Sequence, residues 1–331
     1  MAIRLVSRRL FLGFLVLTGL SFASFCFFAS QPGTIPSGRP VLSEYWTWLR
    51  GMWGGASLSL LTQPVPVILN QQRTTMLEAL GHTAALLALT FVLVSVLSAL
   101  LGLVAASRRG SLLDALIRGA SYLVWGVPPF LLGLVVQKVL NGAGSAHGLG
   151  PFPIAGWPGS CPAGLGINYG TIRPCSAAGS GAGYLLNLVR YLVLPSATLA
   201  VGFVGLHGRY LRSALLETMG APFVLTARAK GLSERRVLVG HALRASLATF
   251  VSALFSDFGA VFGAAMAVDW IFELNGLGTV LVNEFPTRTN APIDVYSVQL
   301  VLLITGALVI ASSLLSELTL SLLDPRIREE G

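Results

Sequence analysis

From His82 to Ala106 the chain runs without a formally charged residue, counting His82 as neutral. A helix crossing a hydrocarbon layer needs about 20 such residues, because inside lipid each backbone N–H and C=O must be paired within the segment. Further apolar runs occupy Leu10–Ala29, Gly119–Val136, Leu192–Leu206, Ala245–Val268 and Val295–Leu315. Only 11% of the 331 residues are charged, against about 25% in soluble domains. A water-soluble core is excluded, and the expected fold is an all-α membrane protein of about six transmembrane helices.

Local residues refine this expectation. Arg4, Arg8 and Arg9 precede the first run, which reads as a retained helix rather than a cleaved signal, since the pattern of small residues around Ala29 is vague. Pro128-Pro129 must bend or break the third run, and Pro195 stands near the start of the fourth. Met52–Leu69 is apolar but interrupted by Gly54, Gly55, Pro64 and Pro66; with Trp46, Trp48 and Trp53 nearby it reads as interfacial. In the fifth run Ser252, Ser256, Gly259 and Gly263 recur at the spacing that lets helices approach closely. Placing both termini in the cytoplasm puts most of the 22 Lys and Arg residues on that side, including Arg108, Arg109, Arg209, Arg212, Arg228 and Lys230. That bias is the positive-inside pattern. Cys161 and Cys175 then share an extracytoplasmic loop, where a disulfide closing about 14 residues would contribute ~3 kcal/mol. The alternative is two unpaired thiols.

The segment Arg209–Arg244 is too polar to span. Leu215, Leu216, Met219, Phe223, Val224 and Ala227 recur at helical spacing before Gly231-Leu232 interrupts them. Ser233 is placed to cap a second helix, with Glu234 in its first turn and Val237, Leu238, Ala242 and Leu243 along it. Two short amphipathic helices around a glycine turn form a compact knob suited to a groove on a partner. Equally, it reads as a connector packed against helix ends.

Residue identity separates those readings. The run Thr226-Ala227-Arg228-Ala229-Lys230-Gly231-Leu232-Ser233-Glu234-Arg235-Arg236-Val237-Leu238, followed by His241-Ala242-Leu243-Arg244, closely resembles the ATPase-docking segment of permease subunits of dipeptide, oligopeptide and nickel ABC importers. Asp269-Trp270-Ile271-Phe272 with Gly276-Leu277-Gly278, and Leu323-Asp324-Pro325-Arg326-Ile327-Arg328, resemble the family's segments after the fifth helix and at the C-terminus. Ser107-Arg108-Arg109-Gly110-Ser111, Pro128-Pro129-Phe130 with Leu132-Gly133, and Leu194-Pro195-Ser196 follow in the family's order. Two departures stand out: Leu225-Thr226-Ala227 replaces the broader family's Glu-Ala-Ala, and Thr249 replaces an expected proline.

The resemblance covers about 76–328 and implies a type I ABC importer permease core there, with a docking loop at 209–244; 1–75 match the family poorly and are read from hydropathy as a first helix plus an extracytoplasmic or interfacial segment, and 329–331 as a short tail. It implies a multi-pass protein of the inner, cytoplasmic membrane, in contact with lipid. Implied partners are a second homologous permease, two cytoplasmic ABC ATPase subunits and an extracytoplasmic substrate-binding protein. Docking is assigned to Thr226, Ala227, Arg228, Ala229, Lys230, Gly231, Leu232, Ser233, Glu234, Arg235 and Arg236. The implied cargo is a dipeptide or oligopeptide, with a nickel chelate or glutathione as alternatives.

Asp257 lies within the fifth run, where an ionised carboxylate costs roughly 3 kcal/mol unless it is paired or faces water. It is a candidate pathway residue for a cationic substrate, or else a structural partner for a neighbouring group. Asp269, Glu273 and Glu284 are expected near the outer face, as contacts for a binding protein or as solvated loop charge. The four histidines form no HExxH and the cysteines no CxxC, so no metal or other cofactor is implied. Without a GxxxxGK[ST] loop the chain has no evident means of holding ATP, so it reads as a non-catalytic subunit with hydrolysis on a separate chain. A self-contained secondary transporter, the reading from another class, would normally show inverted repeats and paired intramembrane charges. No aromatic-interleaved basic stripe points to nucleic acid.

Overall fold

A computed structural model describes residues 2–30, 40–53, 64–66, 73–142, 152–159, 181–283 and 295–323. The elements are α1 (Ala2–Ala29), α2 (Val41–Trp53), β1 (Pro64–Pro66), β2 (Arg73–Thr75), α3 (Met76–Ser107), α4 (Leu112–Trp125), α5 (Pro129–Gly142), α6 (Gly181–Thr218), α7 (Pro222–Ala229), α8 (Glu234–Ser256), α9 (Phe258–Ile271), α10 (Leu277–Asn283) and α11 (Val295–Leu323). Five helices are long and apolar enough to cross a membrane: α1 from Phe11 onward, α3, α6, α8 and α11 as far as Leu320. The pair α4 and α5 makes a sixth span if counted as one, bent by 89°.

The local causes are visible. Thr75 and Glu78 form a capping box at the head of α3: the Glu78 N–H donates to Thr75 Oγ1 at 3.2 Å, and the Thr75 N–H donates to Glu78 Oε2 at 2.9 Å. The bend between α4 and α5 falls at Pro128-Pro129, where ring closure removes backbone donors and Pro129 takes the first helical position. Pro195 does not begin its helix; it lies inside α6, which runs 38 residues and so about 57 Å, nearly twice the hydrocarbon thickness. The fifth run is divided at Asp257 between α8 and α9, although helical backbone bonds bridge the division, and α8 contains a π-turn at Val237–Ala242, ahead of that run. Of the Met52–Leu69 segment, only its first residues, in α2, and β1, paired antiparallel with β2, are described.

The chain divides into two compact units, with several helices passing through the division. The first comprises Met1–Leu86, Gly133–Pro195 and Ala265–Ile310. There α1 is fixed by an aromatic cluster of Phe25, Tyr45 and Trp48, with Val295; the Phe25 and Tyr45 rings meet edge to face at 5.2 Å. Buried Gln299 donates its amide to the Ser21 carbonyl at 2.9 Å and Ser21 Oγ at 2.7 Å, while Ser24 Oγ donates to Gln299 Oε1 at 2.8 Å.

The second unit comprises Leu87–Leu132, Ser196–Ala264 and Ala311–Gly331. Helices approach closely here: a Cβ on Gly205 of α6 would lie 3.0 Å from Ser121 Cα of α4. The small residues of α8 meet serines of α11, with Ser316 Oγ 2.8 Å from Ser252 Oγ and 3.0 Å from Ser256 Oγ, and Ser312 bonded to the Phe255 carbonyl. Large apolar side chains left exposed, such as Leu112 and Leu123 of α4, both 77% exposed, fit a surface whose solvent is lipid.

Candidate functional site

The segment singled out in the sequence forms a helix–turn–helix within the second unit. At its entrance α6 ends at Thr218, and Gly220-Ala221 leads into α7, where Pro222 supplies the preset first-turn dihedral and Ala221 takes the cap position. The stripe read as one helix, Leu215 to Ala227, is therefore divided between two. Leu215, Val224 and Ala227 of the stripe are buried, whereas Phe223 turns outward.

α7 closes in a Schellman motif. The Gly231 N–H donates to the Arg228 carbonyl at 2.9 Å and the Leu232 N–H to the Ala227 carbonyl at 3.4 Å. That geometry demands a left-handed residue, which Gly231 supplies at φ +80°. The Leu232 side chain packs with Val224, Ala227 and Val237, which share a small core with Met219 and Ala221. Apolar contact between the residue after the glycine and the last turn of the helix is the usual companion of this motif.

Across the turn, Arg228 Nε donates to Glu234 Oε1 at 2.8 Å and Nη2 to Oε2 at 3.2 Å. Both partners are partly or largely exposed, so the pair stabilises the fold by at most about 1 kcal/mol; its two-bond fork links the end of α7 to the start of α8. Ser233 takes the N-cap position as expected, but its hydroxyl makes no capping bond. Val237 and Ala242, five residues apart and both buried, share one side because the helix takes a π-turn between them. Since α8 continues to Ser256, the second arm of the knob is the head of an apolar span. Thr218 Oγ1 lies 3.0 Å from buried Ser246 Oγ, joining the end of α6 to α8. On the outer side Phe223 and Leu225 are 44% and 52% exposed, beside exposed Lys230, Arg235 and Arg236.

Sequence reading missed a second polar junction. Ser111 caps α4 by accepting from the Asp114 N–H at 3.3 Å, and the Asp114 carboxylate accepts from the Gly110 N–H at 3.1 Å and from Arg212 of α6. The Ser111–Asp114 spacing is a legible cap signal. Arg212, 98 residues away, carries no local signal.

Asp257 stands at the interruption between α8 and α9, one-third exposed, with Oδ2 3.3 Å from Nε2 of buried His207. Asp269 departs from both expectations made for it: it is fully buried in the first unit, accepting from the Gly276 N–H at 2.9 Å and the Thr279 N–H at 3.0 Å. The turn that begins α10 leaves unpaired donors that need a buried acceptor. Cys161, Cys175, Glu284 and nearly all of the C-terminal motif lie outside the described residues.

Comparison with known proteins agrees with this architecture. The family model for the binding-protein-dependent transport system inner membrane component matches residues 98–329. A putative peptide permease protein of Brucella suis is 30% identical over 297 residues, 88% of this chain and 81% of the relative. The oligopeptide transport system permease protein OppB of Mycobacterium tuberculosis is 28% identical over 291 residues, and a putative peptide transport system permease protein of Brucella abortus 29% over 293, each with the same coverage. With repeated spans and a family match over most of its length, the chain is a multi-pass membrane protein belonging to the binding-protein-dependent transport system inner membrane component family.

Proposed function

We propose that this chain is the pathway-forming permease of an ATP-driven importer of dipeptides or oligopeptides in the cytoplasmic membrane, with both termini inside. Thr226–Arg236 docks a separate cytoplasmic ATPase, a second homologous permease completes the pathway, and an extracytoplasmic binding protein delivers the peptide. The core of the permease is 76–328, and Asp257 borders the pathway. The observation that carries the docking assignment is mechanical. The knob is a two-helix element braced by Arg228–Glu234 and the Gly231 turn, and its second arm is continuous with a spanning helix. A displacement of the knob by a closing motor moves α8 with no loop between them to absorb it. The peptide assignment rests on the relatives named above.

The test is uptake of labelled di- to pentapeptides by proteoliposomes holding the assembled permeases and ATPases, with binding protein outside and ATP inside. Uptake requiring every component is expected. Gradient-driven uptake by this chain alone would contradict the proposal.

A further inference from the structure

His207 of α6 is 1% exposed, and its Nδ1 lies 2.9 Å from the Phe203 carbonyl oxygen. A carbonyl only accepts, so Nδ1 carries a hydrogen and donates it. In a neutral imidazole the other nitrogen, Nε2, then presents a lone pair. That lone pair points at a carboxylate: Nε2 is 3.3 Å from Asp257 Oδ2. Both atoms are buried, and neither has another hydrogen-bond partner among the described residues. Two acceptors at this distance repel. One additional proton resolves the contact wherever it resides, on Nε2 as an imidazolium facing a carboxylate or on Oδ2 as a carboxylic acid donating to imidazole.

We infer that His207 Nε2 and Asp257 Oδ2 form a binding site for a single proton, which tethers the interruption between α8 and α9 to α6 and makes transport depend on its occupancy. The Asp257 backbone stays within the helical pattern, its N–H donating to the Ala253 carbonyl at 3.1 Å and its carbonyl accepting from the Val261 N–H at 3.1 Å. The helix axis thus carries on while the side chain makes the tether. With one-third of the Asp257 side chain exposed, the proton has a route in and out. Loss of the proton sets carboxylate against lone pair, and the contact opens.

The surrounding groups are few. Tyr210 meets the His207 ring edge-on at 5.8 Å. Arg209 sits 3.9 Å over the Tyr122 ring, and Arg212 is held by Asp114, which also faces Arg118. On α11, whose serines meet α8, the charged residue is Glu317. The α3 segment that brings Phe91 against Phe255 and Phe258 has no charged side chain between Leu87 and Ala106.

The experiment compares uptake of an uncharged-side-chain peptide against pH for the full reconstituted transporter with wild-type permease and with Asp257→Asn, whose amide N–H donates to Nε2 without any added proton. The wild type is expected to lose uptake by up to about tenfold per pH unit on its alkaline limb, the slope of one proton, and the variant to lack that limb. Identical limbs overturn the inference. Nitrogen-15 spectra of histidine-labelled full complex, with the His207 signals assigned by their absence in His207→Gln, test the site whether or not Asp257→Asn assembles and independently of the transported substrate. A His207 Nε2 that is protonated or strongly hydrogen-bonded is expected. An Nε2 that stays unprotonated and free of hydrogen bonding over the whole range overturns it.

Discussion

Arg212 holds Asp114 through two parallel bonds of 2.7 Å, Nε to Oδ1 and Nη2 to Oδ2, with the Asp114 side chain 1% exposed and that of Arg212 17%. The contact fixes the start of α4 to α6 two turns before α6 gives way to the knob. Paired buried charges contribute modestly against apolar substitutes, but removing one partner strands the other. Asp114→Asn is therefore expected to lower the unfolding midpoint of the solubilised protein, and Arg212→Lys to lower it less, because an ammonium keeps the charge but loses the fork. Thermal unfolding midpoints of the purified variants check both; an unchanged midpoint in Asp114→Asn would remove this junction from the account.

Gly231→Ala tests the turn. A Cβ there meets no atom within 4 Å, while φ is +80°, so the cost is conformational, about 1 kcal/mol. Gly231→Asn should recover part of the loss, because Asn tolerates the left-handed region better. The expected order of ATPase retained on the purified permease is wild type, Asn, Ala. Equal losses in both variants would point to a direct contact at this position.

Asp269→Asn keeps the shape of the buried acceptor and replaces one oxygen by a donor. Its carboxylate serves both the Gly276 and Thr279 N–H groups, so one of them must face an NH2 group. Leaving a buried donor unpaired costs about 1–3 kcal/mol, and unfolding midpoints should fall accordingly while Asp269→Ala falls further.

Much of this architecture was legible because lipid imposes a length and a composition on each span. The run His82–Ala106 locates α3, and Pro128-Pro129 locates the bend of α4 into α5. The Gly231-Leu232 step locates the Schellman turn, a motif whose partners lie within six residues. What escaped reading depends on partners distant in sequence. Arg212 finds Asp114 at a separation of 98 residues and Gln299 finds Ser21 at 278, while His207 finds Asp257 on another helix, and hydrophobic periodicity contains no record of such choices. Asp269 was misplaced for a related reason: near a helix end a carboxylate reads as solvated unless the backbone donors it serves are known. The extent of α6 was underestimated because its first turns, including Asn187 and Arg190, are too polar to be recognised by hydropathy.

The two cysteines between α5 and α6 lead to a chemical prediction. Alkylation of unreduced, denatured protein should label Cys26 and leave Cys161 and Cys175 unlabelled, with both appearing after reduction. Two freely labelled thiols at those positions would exclude the bond.

The docking assignment is tested most directly by replacing Ala227–Arg236 with a Gly/Ser linker of equal length and purifying the permease with its associated subunits. The expected result is retention of the second permease with loss of the ATPase subunits and of ATP-dependent uptake. ATPase subunits recovered in wild-type amount would contradict the assignment and move the docking surface elsewhere.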